Sequence, residues 1–122
     1  RYNLEPQKDA TVSALAQGVR KLLDIAMAVV SKPRILLLDE PTSGISVEEK
    51  FDFMDIVMGA LKEDGVTVLF VEHDMEIVER YVSRVLAFYQ GEIIADMAPK
   101  KALADKKVQE FVIGKEHHKK KK

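Results

Sequence analysis

Two adjacent carboxylates stand at the end of a short apolar run. Asp39 and Glu40 follow residues 35–38, which read Ile-Leu-Leu-Leu and lie shortly after Pro33. Four consecutive apolar residues are typical of a short strand that is buried on both faces. Charges beside an apolar core cost several kcal/mol unless a metal, a hydrogen-bond donor or solvent compensates. The two acids are therefore expected at the carboxyl edge of a sheet, where open α/β sheets bind ligands.

A second apolar run also ends in polar side chains. Residues 66–71 are largely apolar and rich in β-branched side chains, and Glu72, His73 and Asp74 follow them. Apolar residues at helical spacing through residues 51–61 predict a helix between the two runs, and hence a right-handed βαβ crossover. Because parallel strands end at the same edge of a sheet, the polar groups after both strands are expected to lie together.

These side chains suit phosphoryl transfer. Asp39 can hold a hydrated Mg²⁺, Glu40 can orient and deprotonate a water, and His73 can hydrogen-bond the transferring group. Taken singly, each has a plainer interpretation: two solvated acids at a strand end, and a capped or solvated histidine. The rest of the chain decides between the two interpretations.

The elements before and after the acids predict a layered α/β domain. A helical pattern begins at Ser13 and ends before Pro33. Gly18 falls in its first turns, where a glycine is either approached closely by another group or simply tolerated. Ser46 and Glu49 have the spacing of a capping box for the helix between the strands.

The last third of the chain predicts a β-hairpin and two short helices. Residues 84–89 and 92–95 are largely apolar and flank the dipeptide Gln90-Gly91, which is typical of a tight hairpin turn. Pro99 then opens the first of the two terminal helices. The predicted fold is therefore α/β, with parallel core strands, flanking helices and a C-terminal β-hairpin.

Composition excludes several other classes of protein. The chain has 122 residues, 47% of them hydrophobic, and no cysteine, which excludes disulfides and thiolate metal sites and is compatible with the cytoplasm. No apolar run approaches the roughly 18 residues of a membrane-spanning helix. The net charge is −1, but residues 115–122 hold five lysines and one glutamate, which leaves 14 basic and 19 acidic residues elsewhere. The acidic body offers no nucleic-acid face. The basic tail is expected to be disordered, with an anionic membrane contact as the alternative.

Three stretches occur in a characteristic order. They are L-A-Q-G-V-R-K-L-L-D-I-A-M-A at residues 15–28, L-L-L-D-E-P-T-S-G at residues 36–44 and V-E-H-D-M at residues 71–75. The first resembles the signature motif of ATP-binding cassette (ABC) ATPases and the helix behind it, the second their Walker B motif and D-loop, and the third their switch-histidine loop. The resemblance covers nearly the whole chain and is closest to the branched-chain amino acid importer group.

The resemblance implies a role for each matching residue. Asp39 would support Mg²⁺, Glu40 would be the general base and His73 would contact the γ-phosphate. The residues expected to face the nucleotide of a partner subunit are Ala16, Gln17 and Gly18. The loop expected to cross between the two sites contains Ser43, Gly44 and Ser46. The resemblance also implies ATP and Mg²⁺ as cofactors, a second ABC ATPase subunit and membrane permease subunits as partners, and a cytoplasmic location on the inner face of the membrane.

Three positions depart from the family pattern. Ala16 stands where the family usually has a serine whose hydroxyl meets the γ-phosphate, and Val19 replaces a frequent polar residue. Ser46 stands where aspartate is common in the crossing loop. These changes bear on the contact with the partner's nucleotide, and so on the ATPase rate, more than on the fold.

The phosphate-binding loop of the family does not occur in this sequence. No G-x-x-x-x-G-K-(S/T) is present, so the chain is interpreted as the C-terminal half of a cassette subunit, a partial P-loop NTPase fold without its Walker A half. Residues 1–14 would be a connecting segment of the helical subdomain, residues 15–114 the C-terminal half of the nucleotide-binding domain, and residues 115–122 the basic tail.

Two functions follow from these observations. The first is the ATP-hydrolysing subunit of an amino-acid-type importer, present as a fragment. The alternative is a non-catalytic cassette half that self-associates or complements another chain without productive nucleotide binding. Without the Walker A strand, neighbouring strands would have unpaired edges. Such edges can pair with another chain, which favours association.

Overall fold

The computed structural model describes residues 1–114. These residues fall into two units, a first unit of residues 1–72 and a second unit that begins at His73. The basic tail predicted at residues 115–122 lies outside the described residues. In the described part of the chain, no helix is both long and apolar enough to cross a bilayer.

A pair of parallel strands lies at the centre of the first unit. Strand β1 (Ile35–Asp39) pairs with strand β2 (Thr67–Val71), and their last residues, Asp39 and Val71, lie opposite each other. Helix α2 (Lys50–Glu63) connects the two strands. The predicted parallel pairing through a helical crossover is therefore confirmed, and both strands end at one edge of the sheet.

Two amphipathic helices supply most of the core of the first unit. Helix α1 (Gln17–Val29) precedes β1 and packs against α2. Their apolar residues recur every three or four positions, so that each helix presents one apolar face. The buried side chains are Leu22, Ile25 and Val29 of α1 and Phe53, Met54, Val57, Ala60 and Leu61 of α2. Met54 is fully buried, as expected of a core-filling methionine.

Helix α1 begins later than the sequence pattern predicts. The pattern places its start at Ser13, but Val12–Ala14 form a turn of 3₁₀-helix. Leu15 and Ala16 then adopt extended backbone, with ψ of 141° and 153°. The break makes Ala16 the N-cap, and alanine has no side-chain acceptor for the first N–H groups of the helix.

The prediction that both strands are buried on two faces is wrong. Leu36 is 8% exposed, whereas Ile35 is 60% and Leu37 is 72% exposed. On β2, Leu69 and Val71 are 50% and 60% exposed. Successive side chains of a strand point to opposite faces, and the described residues cover only one face of this pair. One apolar face of the sheet is therefore open.

The second unit is built on an antiparallel hairpin. Strand β3 (Val85–Tyr89) pairs with strand β4 (Glu92–Met97), and the predicted turn at Gln90 and Gly91 joins them. Helix α3 (Met75–Tyr81) precedes the hairpin, and helices α4 (Pro99–Ala104) and α5 (Lys106–Phe111) follow it. The buried apolar residues of this unit include Ile77, Ala87, Ala95, Ala102 and Val108. The hairpin and both terminal helices agree with the sequence prediction.

Candidate functional site

The carboxyl end of β1 places two acids side by side. Asp39 is the last residue of the strand and is exposed, and Glu40 follows it half-buried. The Glu40 N–H donates to the carbonyl oxygen of Val71 at 2.9 Å, which extends the hydrogen-bonded pairing one residue beyond the strand. Glu40 is thus anchored to β2 at the sheet edge, while Asp39 is open to solvent.

Glu40 has a backbone conformation that is rare for a residue with a side chain. Its φ is +45°, in the left-handed region. Such a conformation persists only where surrounding contacts determine it, and it is common at functional sites. Its carbonyl oxygen accepts hydrogen bonds from Lys21 Nζ at 3.2 Å and from the Ser43 N–H at 3.0 Å. The peptide groups on both sides of the Glu40 Cα are therefore held.

A carboxylate at the end of β2 ties down the loop after β1. Thr42 is 8% exposed. Its N–H donates to Glu72 Oε1 at 3.2 Å, and its hydroxyl donates to the same oxygen. The sequence places Thr42 in the stretch that resembles the Walker B motif and D-loop and Glu72 after the second apolar run, but it does not connect them. They are 30 residues apart, so only the parallel register shows that they meet.

The signature-like segment lies at the start of α1. Ala16 and Gln17 are exposed, and Gly18 is half-buried. A Cβ added to Gly18 would meet no heavy atom of the described chain within 4 Å. The described residues therefore do not themselves require a glycine here, and the contact of this segment with a partner's nucleotide stays a prediction.

The loop after β1 packs against this segment. Gly44 has a φ of +75°, and a Cβ there would lie 2.2 Å from Gln17 Nε2. A side chain at position 44 would thus meet both backbone strain and a steric clash. Ser43 is exposed in the same loop. The structure brings together Gly44 and Gln17, which belong to different motifs of the sequence.

Ser46 interacts with Glu49, but not as the N-cap of α2. The Ser46 hydroxyl donates to Glu49 Oε2 at 2.8 Å, and the Glu49 N–H donates to Ser46 Oγ at 3.3 Å. Helix α2 begins at Lys50, with Glu49 as its N-cap residue. The predicted pair therefore forms, and it stabilises the turn that precedes the helix.

His73 is the first residue of the second unit. It is exposed between β2 and α3, and the next residue, Asp74, caps α3 by accepting hydrogen bonds from the N–H groups of Glu76 and Ile77. Asp74 thus satisfies two of the N–H groups at the start of α3. The proximity of His73 to the two acids stays a prediction.

The donor set around Asp39 suits a metal that arrives with a phosphate. Within residues 1–114 no group of three or more acidic or histidine side chains could hold a metal ion. Mg²⁺ keeps several waters and is commonly bound through one or two carboxylates together with substrate phosphates. A single exposed carboxylate such as Asp39 fits that mode of binding.

Comparison with known proteins identifies a family. The model of the family described as "ABC transporter" matches residues 1–43, a span that includes Asp39 and Glu40. The chain is 33% identical over 108 residues to the energy-coupling factor transporter ATP-binding protein EcfA3 of Clostridium perfringens, an alignment that covers 88% of this chain and 38% of that protein. It is 35% identical over 97 residues to the branched-chain amino acid transport ATP-binding protein BraF of Pseudomonas aeruginosa, covering 80% and 38%.

Solved structures agree in both fold and sequence. The ADP conformation of MJ1267, an ATP-binding cassette of an ABC transporter, superposes with a TM-score of 0.82 and 32% identity, covering 93% of this chain and 46% of that one. For cbiO1 from Clostridium perfringens, part of the ABC transporter complex cbiONQ, the TM-score is 0.78 at 32% identity, with 89% and 43% coverage. The chain belongs to the ABC transporter ATPase family. Its α/β fold is that of ABC cassettes, so the predicted family and fold are confirmed.

The ABC ATPase relatives do not single out one transporter group. EcfA3 and BraF, which carry different transporter names, match this chain at 33% and 35% identity. The resemblance to the branched-chain amino acid importers is thus only weakly supported. The chain spans about 38% of the length of both relatives.

Lys21 is the residue of this site that sequence reasoning missed. Its Nζ donates to the carbonyl oxygens of Glu40 and Pro41, at 3.2 Å and 3.0 Å. The available signal was its position four residues after Gln17, since residues at this spacing share one face of a helix. That signal becomes useful only once Gln17 is known to face the loop.

Proposed function

We propose that the chain provides the carboxylate half of an ATPase site that hydrolyses Mg-ATP in an ABC transporter. The observation that carries this proposal is the conformation of Glu40. Glu40 has a half-buried side chain and a backbone φ of +45°, and it is adjacent in sequence to the exposed Asp39. Strain that is maintained by surrounding contacts is typical of catalytic positions.

The residues that follow β1 and β2 would divide the work of phosphoryl transfer. Glu40 orients a water and accepts its proton, while the water oxygen bonds to the γ-phosphorus and the bond to ADP breaks. Asp39 would hold Mg²⁺, which when bound would supply positive charge to the phosphates. His73 donates a hydrogen bond to the γ-phosphate. In this role Glu40 is the general base and His73 stabilises the transferring group.

The start of α1 is proposed to face the nucleotide of a second ABC ATPase subunit. Ala16 and Gln17 are exposed, and Gly18 leaves open space above the backbone. The N–H groups at the start of a helix bind anions, and Ala16 has no side chain that would occupy them. The loop with Ser43, Gly44 and Ser46 would cross between the two sites.

The remaining parts of the site are proposed to come from sequence outside this chain. The phosphate-binding loop G-x-x-x-x-G-K-(S/T) is not in these 122 residues, and the two relatives described above are more than twice as long as the part that aligns. As cbiO1 is part of a transporter complex, we assign membrane permease subunits as partners and the cytoplasmic face of the membrane as the location. The similarity to BraF supports an amino-acid-type importer.

Substitution of the proposed base tests this function. In the complete transporter assembly, Glu40→Gln is expected to lower ATP hydrolysis by about 10²–10⁴-fold, because general base catalysis contributes that much. Binding of Mg-ATP should persist. The matched control is Glu110→Gln on α5, where the side chain is exposed and distant in sequence. Equal rates for the two variants would contradict the proposal.

The open apolar face of the sheet supports the alternative, a non-catalytic half that associates with itself. Ile35, Leu37, Leu69 and Val71 are each at least 50% exposed on β1 and β2, and patches of this kind mark interaction sites. Leu37→Lys would then abolish a concentration-dependent dimer in analytical ultracentrifugation, whereas Glu110→Lys at an exposed position of α5 would not. A wild-type chain that stays monomeric at all concentrations would exclude this alternative.

A further inference from the structure

Helix α1 and the loop after β1 are joined at two places. Lys21 Nζ donates to the carbonyl oxygens of Glu40 and Pro41. One turn earlier, the side-chain amide of Gln17 occupies the space that a Cβ of Gly44 would need. We infer that Lys21 is a positioning residue, which ties the start of α1 to the backbone of Glu40.

The two hydrogen bonds of Lys21 complete the restraint on Glu40. The N–H of Glu40 is held by the carbonyl oxygen of Val71 at 2.9 Å. The carbonyls of Glu40 and Pro41 belong to the next two peptide groups, and Lys21 fixes both, at 3.2 Å and 3.0 Å. An ammonium group has three donors and no acceptor, so one lysine can hold both carbonyls at once. Without Lys21, the carbonyl oxygen of Glu40 loses one of its hydrogen-bond donors.

The close approach of Gln17 to Gly44 adds a second contact between the signature-like segment and the loop after β1. Gln17 and Lys21 are four residues apart on one helix, so they share a face and move together. A displacement of the start of α1 would therefore shift the peptide groups after Glu40. The use of this tie in catalysis rests on the proposed function, whereas the tie itself rests only on the contacts within the first unit.

Amide hydrogen exchange measures the tie without requiring ATP. Lys21→Met removes the donors and keeps the aliphatic stem, on a helix where both residues have similar propensity. In the 122-residue chain we expect the amides of Glu40 and Ser43 to exchange about tenfold faster, since the loss of a charged hydrogen-bond donor changes a local opening equilibrium by that order.

Three further variants separate positioning from general destabilisation. Lys21→Arg should restore slow exchange, because a guanidinium can also donate to two carbonyls. Lys62→Met on α2 is the matched control, since Lys62 is exposed near the end of its helix. If Lys21→Met unfolds the chain, Lys21→Gln takes its place. Exchange of Glu40 and Ser43 that is the same in the Lys21 and Lys62 variants would overturn the inference, whether or not the chain hydrolyses ATP.

Kinetics in the complete assembly test the catalytic use of the tie. Lys21→Met should lower kcat for ATP hydrolysis about tenfold and leave KM within about twofold, because the lysine acts on the base and not on the substrate. Faster exchange with an unchanged kcat would overturn the positioning role. Faster exchange in the variant, together with a wild-type assembly that hydrolyses no ATP, would confirm the tie and contradict the proposed function.

Discussion

Glu40 and Gln90 both have left-handed backbone, with φ of +45° and +50°, but for different reasons. Gln90 is followed by Gly91, also at positive φ, and the two form the turn between β3 and β4. Two-residue hairpin turns of this kind require positive φ at both positions. No hairpin follows Glu40, whose backbone N–H and carbonyl oxygen form hydrogen bonds with Val71, Lys21 and Ser43. A positive φ is therefore part of a two-residue turn at Gln90, whereas at Glu40 it is accompanied by contacts with residues distant in sequence.

The polar contacts of the two regions differ in the same way. The hairpin carries a two-point ion pair between Arg84 and Asp96, at 2.7 Å for both N–O distances, on the exposed surface. The loop after β1 is held through the buried Thr42 and through backbone carbonyls. Exposed ion pairs contribute little to stability, whereas hydrogen bonds to buried groups are costly to lose. Polar contacts are thus expected to matter more in the loop than in the hairpin.

Glycine substitutions separate the two kinds of positive φ most sharply. Glu40→Gly and Gln90→Gly should each raise the free energy of unfolding, by about 0.5–1 kcal/mol, because glycine adopts this conformation without steric cost. Only Glu40→Gly should lower the rate of ATP hydrolysis, by at least roughly 10²-fold. Denaturant unfolding and ATPase assays would measure both effects. A loss of stability in Glu40→Gly would mean that its backbone is not strained.

Loss of the Thr42 hydroxyl should lower the stability of the chain. Thr42→Val keeps the shape but leaves Glu72 without one of its two donors from this residue, at an expected cost of about 1–3 kcal/mol. The matched control is Thr67→Val, at an exposed position of β2, which should change stability little. Urea unfolding of both variants would test the difference, and equal midpoints would mean that the contact between Thr42 and Glu72 contributes nothing.

Alanine at two glycines distinguishes strain from a steric clash. Gly44 and Gly91 have φ of +75° and +84°, and only Gly44 has a close neighbour, Gln17. Both alanine variants should lose about 1–2 kcal/mol from backbone strain, with a further loss at position 44 that Gln17→Ala relieves. Thermal unfolding of the single and double variants would measure the coupling. Purely additive effects of Gly44→Ala and Gln17→Ala would argue against the contact.

The ion pair of the hairpin should give the smallest effect, and only in acid. Hydrogen bonding from Arg84, aided by its positive charge, lowers the pKa of Asp96 below its ordinary value of 3.8. The contribution of Asp96 to stability is therefore fully present above pH ~4 and is lost as the pH falls through the lowered pKa. Arg84→Met should remove this part of the acid dependence, and salt should weaken it in the wild type. An unchanged acid unfolding curve in the variant would contradict this expectation.

Much of the site could be predicted because it depends on short stretches of sequence. The order of the apolar runs, with α2 between them, was enough to place Asp39 and Glu40 at a sheet edge, and the hairpin was marked by Gln90 and Gly91. The remaining contacts join residues far apart in sequence. Lys21 reaches Glu40 across 19 residues, and Thr42 reaches Glu72 across 30. Local patterns carry no signal for such pairs.

The burial of the strands was predicted wrongly for a related reason. A continuous apolar run indicates a strand whose two faces are both covered by other apolar groups. It does not state which residues cover each face. Leu36 is covered by the first unit, while Leu37, the next residue, is 72% exposed. The described residues therefore leave the apolar side chains on one face of β1 exposed.

Calorimetry of Mg-ATP binding tests most directly whether Asp39 and Glu40 form half of an ATPase site. The chain would be titrated alone, and then mixed with a polypeptide that carries the phosphate-binding loop, with that polypeptide alone as the control. We expect no binding by the chain alone, and tighter binding by the mixture than by the control polypeptide, which Asp39→Asn should weaken. Equal heats of binding for the mixture and the control polypeptide would contradict the roles assigned to Asp39, Glu40 and His73.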